Sequence, residues 1–377
     1  MSRVQIAPVS SGRDLKAFIQ FPYDLYRDSE WWVPPLRMDV SRLLSRRKNA
    51  FFEHGDMQLF LARDASGHVA GRIAAIRNGM HLKKYADGTG FFGFFECIDH
   101  RETAHALFDA AASWLRSEGL HTMRGPANPS LNDTAGLLVH GFDRRPSLLM
   151  PYNPPEYVDF LESYGFERSM TMWAYFVHKK YMKGEKLKRG AGLVLRRWDT
   201  LSVRTLDMDR FDEEARTILD IYNEAWSENW GHVPMTDAEF AQLASELKQI
   251  VDPDMVVIVE DGGVPVAFAV SLPDVNVALR EIPNGRLLPT GLFKLLYLLK
   301  SDVIQHIRMP LMGVRKAWHG RGLDALLINE SIQNGIPKGL TSCELSWVLD
   351  SNRRLINALE SLGAVVDKEY ALFDTAI

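Results

Sequence analysis

The residues best suited to do chemistry lie between positions 312 and 328. Met312-Gly313-Val314 leads into Arg315-Lys316-Ala317-Trp318-His319-Gly320-Arg321-Gly322, then into the periodic apolar residues Leu323, Leu326, Leu327 and Ile328. That pattern reads as strand, basic glycine-containing loop, helix. Glycines let a backbone bend tightly and approach a ligand. The free amides at a helix start favour anions, and Arg315 and Arg321 add positive charge. A pyrophosphate is the natural guest; the plainer alternative is a glycine-rich turn with surface arginines. The segment is not a P-loop, because no Gly-Lys-Ser/Thr follows. It is a poor dinucleotide fingerprint, because it sits late and lacks the early strand–glycine–helix context.

The elements that must position this loop occur twice. The first copy reads Leu59-Phe60-Leu61-Ala62, Gly67, Val69-Ala70-Gly71-Arg72-Ile73-Ala74, and closes on Glu162-Ser163-Tyr164-Gly165. The second reads Val257-Ile258-Val259-Glu260, Gly263, Val266-Ala267-Phe268-Ala269, and closes on Glu360-Ser361-Leu362-Gly363. Turn glycine and closing glycine are 98 residues apart in the first copy and 100 in the second. Such agreement at both ends suggests duplication. The 315–322 loop has no equivalent in the first copy, so one working cofactor site is expected. Two domains follow, 1–190 and 191–377, the first with a degenerate loop.

Within the first copy the periodicity predicts a short helix at 14–19, strands at 57–63, 69–77 and 91–97, a helix over 102–117 and another ending near Gly165. A strand at 170–178 completes that half. Lys179 to Gly190 reads as a basic solvated linker or hairpin rim, with a phosphate or lipid-headgroup contact as the minority reading. The second copy is expected to have a strand at 193–204, a helix at 210–226, and a helix capped by Thr236 with Glu239 in a capping box. Strands at 255–261 and 264–272, a helix at 289–300, a strand at 309–314, a helix at 319–334, a strand at 343–348, a helix at 352–361 and a strand at 368–374 follow.

Composition narrows the class. The chain has 377 residues, 46% hydrophobic and 24% charged, with a net charge of −4. Its pI is near 6.3. That gives no general attraction to nucleic acid or anionic lipid and leaves local basic patches open. Two cysteines, Cys97 and Cys343, cannot build a disulfide framework, so a cytoplasmic chain is the default. The start has no apolar secretion core. No metal site is expected, since His54, His81, His100 and His105 form no compact motif with carboxylates.

Here the loop meets a family. The segment resembles the acetyl-coenzyme A motif of the GCN5-related N-acetyltransferase fold. His319 stands at the family's Gln/Arg position, Gly322 at its conserved glycine, and Asp324 at its last Gly/Ala position, a departure. Leu345-Ser346-Trp347-Val348, Asn352 and the helix around Leu359 resemble the family's later strand, asparagine and closing helix. The family's usual acid, a tyrosine near that helix's end, is matched by Leu359, and by Leu161 in the first copy. The resemblance implies an α/β fold of tandem acyl-CoA N-acyltransferase units, each a mixed central sheet flanked by helices. Residues 125–130, 150–157 and 229–234 also resemble a bacterial group of long tandem acyltransferase-like proteins, some linked to N-acylation of sphingoid bases.

The resemblance implies amine attack on a coenzyme A thioester in a ternary complex, with acyl-CoA as the cofactor. Strand amides near Met312, Gly313 and Val314 are candidates to polarise the thioester oxygen. Gly320, Arg321, Gly322, Leu323, Asp324, His319 and Asn352 complete the expected cofactor set. His232 is the candidate base, because imidazole titrates near working pH; a structural histidine bonded to a backbone carbonyl is the equal alternative. Glu224, Glu228 and Asn229 are placed to orient it or bind the ammonium, Asn276 to face the same cleft, and Tyr222 to act as fallback acid. Trp226 and Trp230 are pocket walls or, more simply, core anchors. The apolar run Leu287–Lys300 is an acyl-chain groove, a membrane-surface helix or, more simply, a helix buried against the other half. The leading acceptor is a long-chain amine or sphingoid base, ahead of small polyamines, amino sugars and amino acids. The rivals are a non-catalytic acyl-CoA sensor or scaffold and an aminoacyl-tRNA-dependent transferase; the acidic pI and coenzyme-like loop argue against the latter.

Overall fold

The computed structural model describes residues 4–299, 301 and 303–377. The first half runs β1 (Gln5–Pro8), α1 (Gly12–Leu25), α2 (Arg37–Leu43), β2 (Asp56–Arg63), β3 (Val69–Arg77), α3 (Gly79–Tyr85), β4 (Thr89–Cys97) and α4 (Arg101–Ser117). It continues through β5 (Thr122–Gly125), β6 (Ala127–Asn128), β7 (Thr134–Ala135), β8 (Leu137–His140), α5 (Glu156–Tyr164) and β9 (Glu167–His178). The second half runs α6 (Gly184–Arg197), β10 (Leu201–Thr205), α7 (Phe211–Ala225), α8 (Asp237–Leu247), β11 (Val256–Asp261), β12 (Val264–Pro273), α9 (Asn276–Leu279) and α10 (Gly291–Leu299). It ends with β13 (His306–Val314), α11 (Leu323–Gly335), β14 (Ser342–Leu349), α12 (Arg353–Leu362) and β15 (Val365–Ala376). This is the mixed α/β architecture that the alternating strand and helix periods call for.

Two compact units result. The first comprises the chain up to Thr171, Ala278–Leu296 and Lys368–Ile377; the second comprises Met172–Val277 and Tyr297–Asp367. In the first, β1, β2, β3 and β4 pair antiparallel in sequence order, β4 pairs parallel with β5, and β5 and β8 pair antiparallel with β15. In the second, β9 pairs antiparallel with β14, β14 parallel with β13, and β13, β12, β11 and β10 continue antiparallel. The terminal strand of each half thus belongs to the other half's sheet. The position 190/191 lies inside α6.

Strand alternation decides which face each helix covers. Around Gly71 a Cβ would meet Leu107 of α4, whereas Arg72 turns to α1 and donates to Phe18 O at 2.9 Å. In the second unit Ala267, Ala269 and Met309 join a core with Leu323, Leu326 and Leu327 of α11, and α7 packs against β12 and β13. Residues 184–204 differ from expectation. They form α6 and then β10, not a solvated linker and a long strand. Leu187, Ala191, Val194 and Trp198 recur at helical spacing and pack on the α11 core. The local run Leu193-Val194-Leu195 imitates a strand, but Leu193 is exposed. Helix α1 is also longer than expected, because Ser11 caps it through Asp14 N–H at 3.1 Å. The capping box at Thr236 and Glu239 is present.

Candidate functional site

The site is built where β13 parts from β14. The two strands pair from His306↔Ser342 to Met309↔Leu345 and no further. Pro310 follows, without an N–H to offer. Pairing with β12 shifts between Val270 and Leu272, opposite one extra residue of β13, which is a bulge. Beyond it, Arg315 N–H donates to Val266 O at 2.8 Å. Antiparallel alternation then directs the backbone groups of Gly313 toward β12 and those of Met312 and Val314 the other way, into the wedge. Two side chains meet those carbonyls: Trp226 Nε1–H donates to Met312 O at 3.0 Å, and His319 Nε2 lies 2.8 Å from Val314 O. Gly313 faces Phe268, whose ring a Cβ would meet at 2.7 Å.

The loop after β13 is held from three sides. Glu224 of α7 accepts from Arg315 Nη1 at 2.6 Å and from Lys316 N–H at 2.9 Å. Burial raises this carboxyl, but the Arg315 bond, the Lys316 amide and both charges outweigh it and hold its pKa below the usual value. Glu228 pairs with Lys316 Nζ at 2.5 Å. Buried Trp318 packs edge-on against Trp198 of the α6 end, 5.4 Å between centroids. Arg321 lies over both rings, at 4.8 and 4.7 Å.

Gly320 and Gly322 have φ of +82° and +87°, which only glycine adopts without strain. A Cβ on Gly322 would also come within 2.9 Å of Val194. Helix α11 starts there with no side-chain cap. Its first helical bond runs from Leu326 N–H to Gly322 O, so the amides of Leu323, Asp324 and Ala325 point forward without an intrahelical acceptor. Leu323 itself is buried. Asp324 is neutralised by Arg354 of α12, Nη2 to Oδ1 3.2 Å, and Arg354 Nη1 lies 3.9 Å from where a Gly320 Cβ would be. Asn352 caps α12 by accepting Leu355 N–H at 3.2 Å. Donor amides, two left-handed glycines and Arg354 form a donor set that fits a diphosphate.

Of the candidate catalytic residues, Tyr222, Asn229 and His232 gather around Trp226. Tyr222 is buried and its ring lies 4.9 Å from that of Trp226 and 5.7 Å from that of His232. His232 is 5% exposed. Asn229 holds the turn between them, donating to Trp226 O and accepting from His232 N–H. Asn276 is buried at the start of α9, its N–H 3.4 Å from Asp274 Oδ1. Leu359, at the family's tyrosine position, is wholly enclosed in the core, as is Leu161. Burial pushes the Cys97 and Cys343 thiols up to about 12, with the Glu96 and Glu344 carboxylates adding to it, so neither is a ready nucleophile at neutral pH.

Sequence reasoning missed Arg354, and also Arg308 with Glu344. Arg308 donates to Ser346 Oγ at 2.9 Å and Ser346 Oγ donates to Glu344 Oε1 at 2.8 Å, with Arg308 and Glu344 almost fully enclosed. The strand expected from the sequence begins at 309, one residue past Arg308, and the register that sets Arg308 beside Glu344 is tertiary. Among the described residues no group of three His, Cys, Asp or Glu side chains could hold a metal, and no described helix is long and apolar enough to cross a membrane.

No family model matches the chain. It is 36% identical over 369 residues to Protein YghO of Escherichia coli (strain K12), covering 97% of this chain and 93% of that one. It is 35% identical over 386 residues to the bacterial ceramide synthase of Caulobacter vibrioides (strain NA1000 / CB15N), covering 99% and 98%. Among solved structures, a tandem GNAT protein from the clavulanic acid biosynthesis pathway superposes with a TM-score of 0.58 at 11% identity, over 99% of this chain and 98% of that one. A GCN5-related N-acetyltransferase from Sphaerobacter thermophilus gives 0.53 at 12% identity, over 99% and 95%. The fold is therefore that of the tandem GCN5-related N-acetyltransferases, and the chain belongs to the family that includes Protein YghO and the bacterial ceramide synthase.

Proposed function

We propose that the chain is an acyl-coenzyme A-dependent N-acyltransferase whose acceptor is a long-chain amine of the sphingoid-base class. The observation that carries the reading is the second unit's wedge beyond Met309 and Leu345, set beside an uncapped α11 behind Gly320 and Gly322. The lipid acceptor rests on the whole-length identity to a protein named a ceramide synthase. In the reaction the amine nitrogen attacks the thioester carbonyl carbon, the C–N bond forms, the C–S bond breaks, and the nitrogen gives up a proton. The α11 amides and Arg354 bind the diphosphate; the wedge-facing amides of Met312 and Val314 are the donors available to the thioester oxygen. His232 takes the amine proton. Tyr222, packed between Trp226 and His232, returns one to the departing sulfur.

The test is amide formation, read by mass spectrometry, from acetyl- or palmitoyl-coenzyme A with sphinganine, spermidine or glucosamine. The expected product is N-palmitoyl sphinganine. An amide of only the small amines overturns the acceptor class. Thioester binding without any amide favours an acyl-CoA sensor, the reading that Leu359 in place of a tyrosine supports.

A further inference from the structure

Helix α10 reads Gly291-Leu292-Phe293-Lys294-Leu295-Leu296-Tyr297-Leu298-Leu299. A helix so poor in polar residues is ordinarily enclosed, and enclosure is what the sequence favoured. Instead Phe293 is 73% exposed, Tyr297 74%, Leu296 48% and the preceding Leu288 74%. Positions 293, 296 and 297 share one face of the helix. The first turn is pinned at the other side: Gly291 is buried, and a Cβ there would meet Arg286 O at 2.3 Å and Ile282 at 3.2 Å. The outward face is therefore apolar by construction.

Its surroundings are basic. Arg280, Arg286 and Lys294 are exposed beside it, and Lys294 bonds Glu281 at 3.0 Å. From Ala278 to Ile304 the sequence holds the cations Arg280, Arg286, Lys294 and Lys300 against the anions Glu281 and Asp302, although the chain as a whole carries −4. At about 14 Å a helix of this length cannot span a bilayer but can lie in its surface. A second copy of the chain would bring the same basic residues against themselves across a two-fold axis; anionic headgroups would complement them.

We propose that α10 seats the protein on an anionic lipid bilayer, with Leu288, Phe293, Leu296 and Tyr297 in the headgroup–acyl boundary and Arg280, Arg286 and Lys294 against lipid phosphates. The inference is independent of acyl transfer and is tested without substrate. Full-length protein is sedimented with phosphatidylcholine vesicles containing about 30% phosphatidylglycerol, and with pure phosphatidylcholine. Wild type pellets with the anionic vesicles. Phe293→Ser combined with Leu296→Ser and Tyr297→Ser lowers the partition coefficient at least about tenfold, with unchanged thermal melting as the control for folding. Arg280→Gln with Arg286→Gln reduces the preference for anionic over neutral vesicles. Failure to pellet, or equal pelleting of the triple variant, overturns the proposal. So does wild-type self-association in sedimentation velocity that the triple variant loses, which would make the face an interface between copies.

Discussion

In the first unit β4 pairs with β5 only from Thr89↔Thr122 to Phe91↔Arg124; in the second, β13 leaves β14 after Met309↔Leu345. Both leading strands then take one extra residue against their antiparallel neighbours, near Phe94 in β4 and near Pro310 in β13. From there the two wedges diverge in content. In the first, Tyr157 Oη accepts Cys97 N–H at 2.7 Å and lies 3.0 Å from Cys97 O and 3.1 Å from Glu96 Oε2, while Asn128 Oδ1 accepts Phe94 N–H at 2.5 Å. Protein groups hold the amides a ligand would need. In the second, the wedge carbonyls of Met312 and Val314 meet Trp226 and His319, which are donors and do not take up amides. The helices differ likewise: α4 follows β4 after residues 98–100 and is capped by His100, whereas α11 follows the longer 315–322 loop uncapped. A shared frame is left open or packed shut according to what fills the strand opening and what caps the next helix.

Five substitutions probe this contrast, the largest expected effect first. Arg308→Met takes a buried guanidinium away from Glu344 and Ser346 and should cost about 3–5 kcal/mol in chemical denaturation; Arg72→Met, facing Glu96 in the first unit, should cost a comparable amount. A far smaller loss at Arg308 would mean that its buried pair is not structural in the second unit. Gly322→Val forces a β-branched residue to positive φ and into Val194. Palmitoyl-coenzyme A affinity by calorimetry should fall by about 100-fold, or about 2.7 kcal/mol; retained affinity would erase the distinction between the two helix starts. Tyr157→Phe strips Cys97 N–H of its partner and Glu96 of one of several and should destabilise by about 1–3 kcal/mol without altering thioester affinity. A change in affinity would show the first wedge to be a ligand site after all.

Glu224→Gln is the mildest. It loosens the loop and should raise KM for the thioester about threefold with kcat unchanged. The sign with pH follows from the shift. Because the folded carboxyl titrates below its usual 4.5, its contribution is complete above that pH and is lost as pH falls through the lower folded value. KM in wild type should therefore stay flat down to about pH 4.5, and a rise already at pH 6 would mean that Glu224 does not anchor the loop.

Sequence made the local features legible. Thr236 with Glu239, the glycines at 320 and 322 and the strand–turn–strand at 257–269 each follow from short-range chemistry, and the structure carries them. The duplication pointed to a single diphosphate cradle, but it could not say that Tyr157 closes the other wedge, since that depends on α5 packing against β4. Arg354 and Asp324 meet across 30 positions of chain, and Arg308 meets Glu344 across neighbouring strands. Such pairs are set by tertiary approach, not by spacing. Helix α6 was lost for the opposite reason: three adjacent apolar residues, 193–195, outweighed a four-residue period that spread over a basic stretch.

The placement of β15 has a consequence for synthesis. Lys368–Ala376 lies in the sheet of the first unit, so that unit's sheet stays unfinished until residues 368–376 have been made. A stop codon at position 368 would strip that strand from the first unit, not from the second. Nor can either copy be excised as a cassette, because Met172–His178 would leave with the first half and uncover β14. The second unit's sheet thus depends on a strand that the first half supplies.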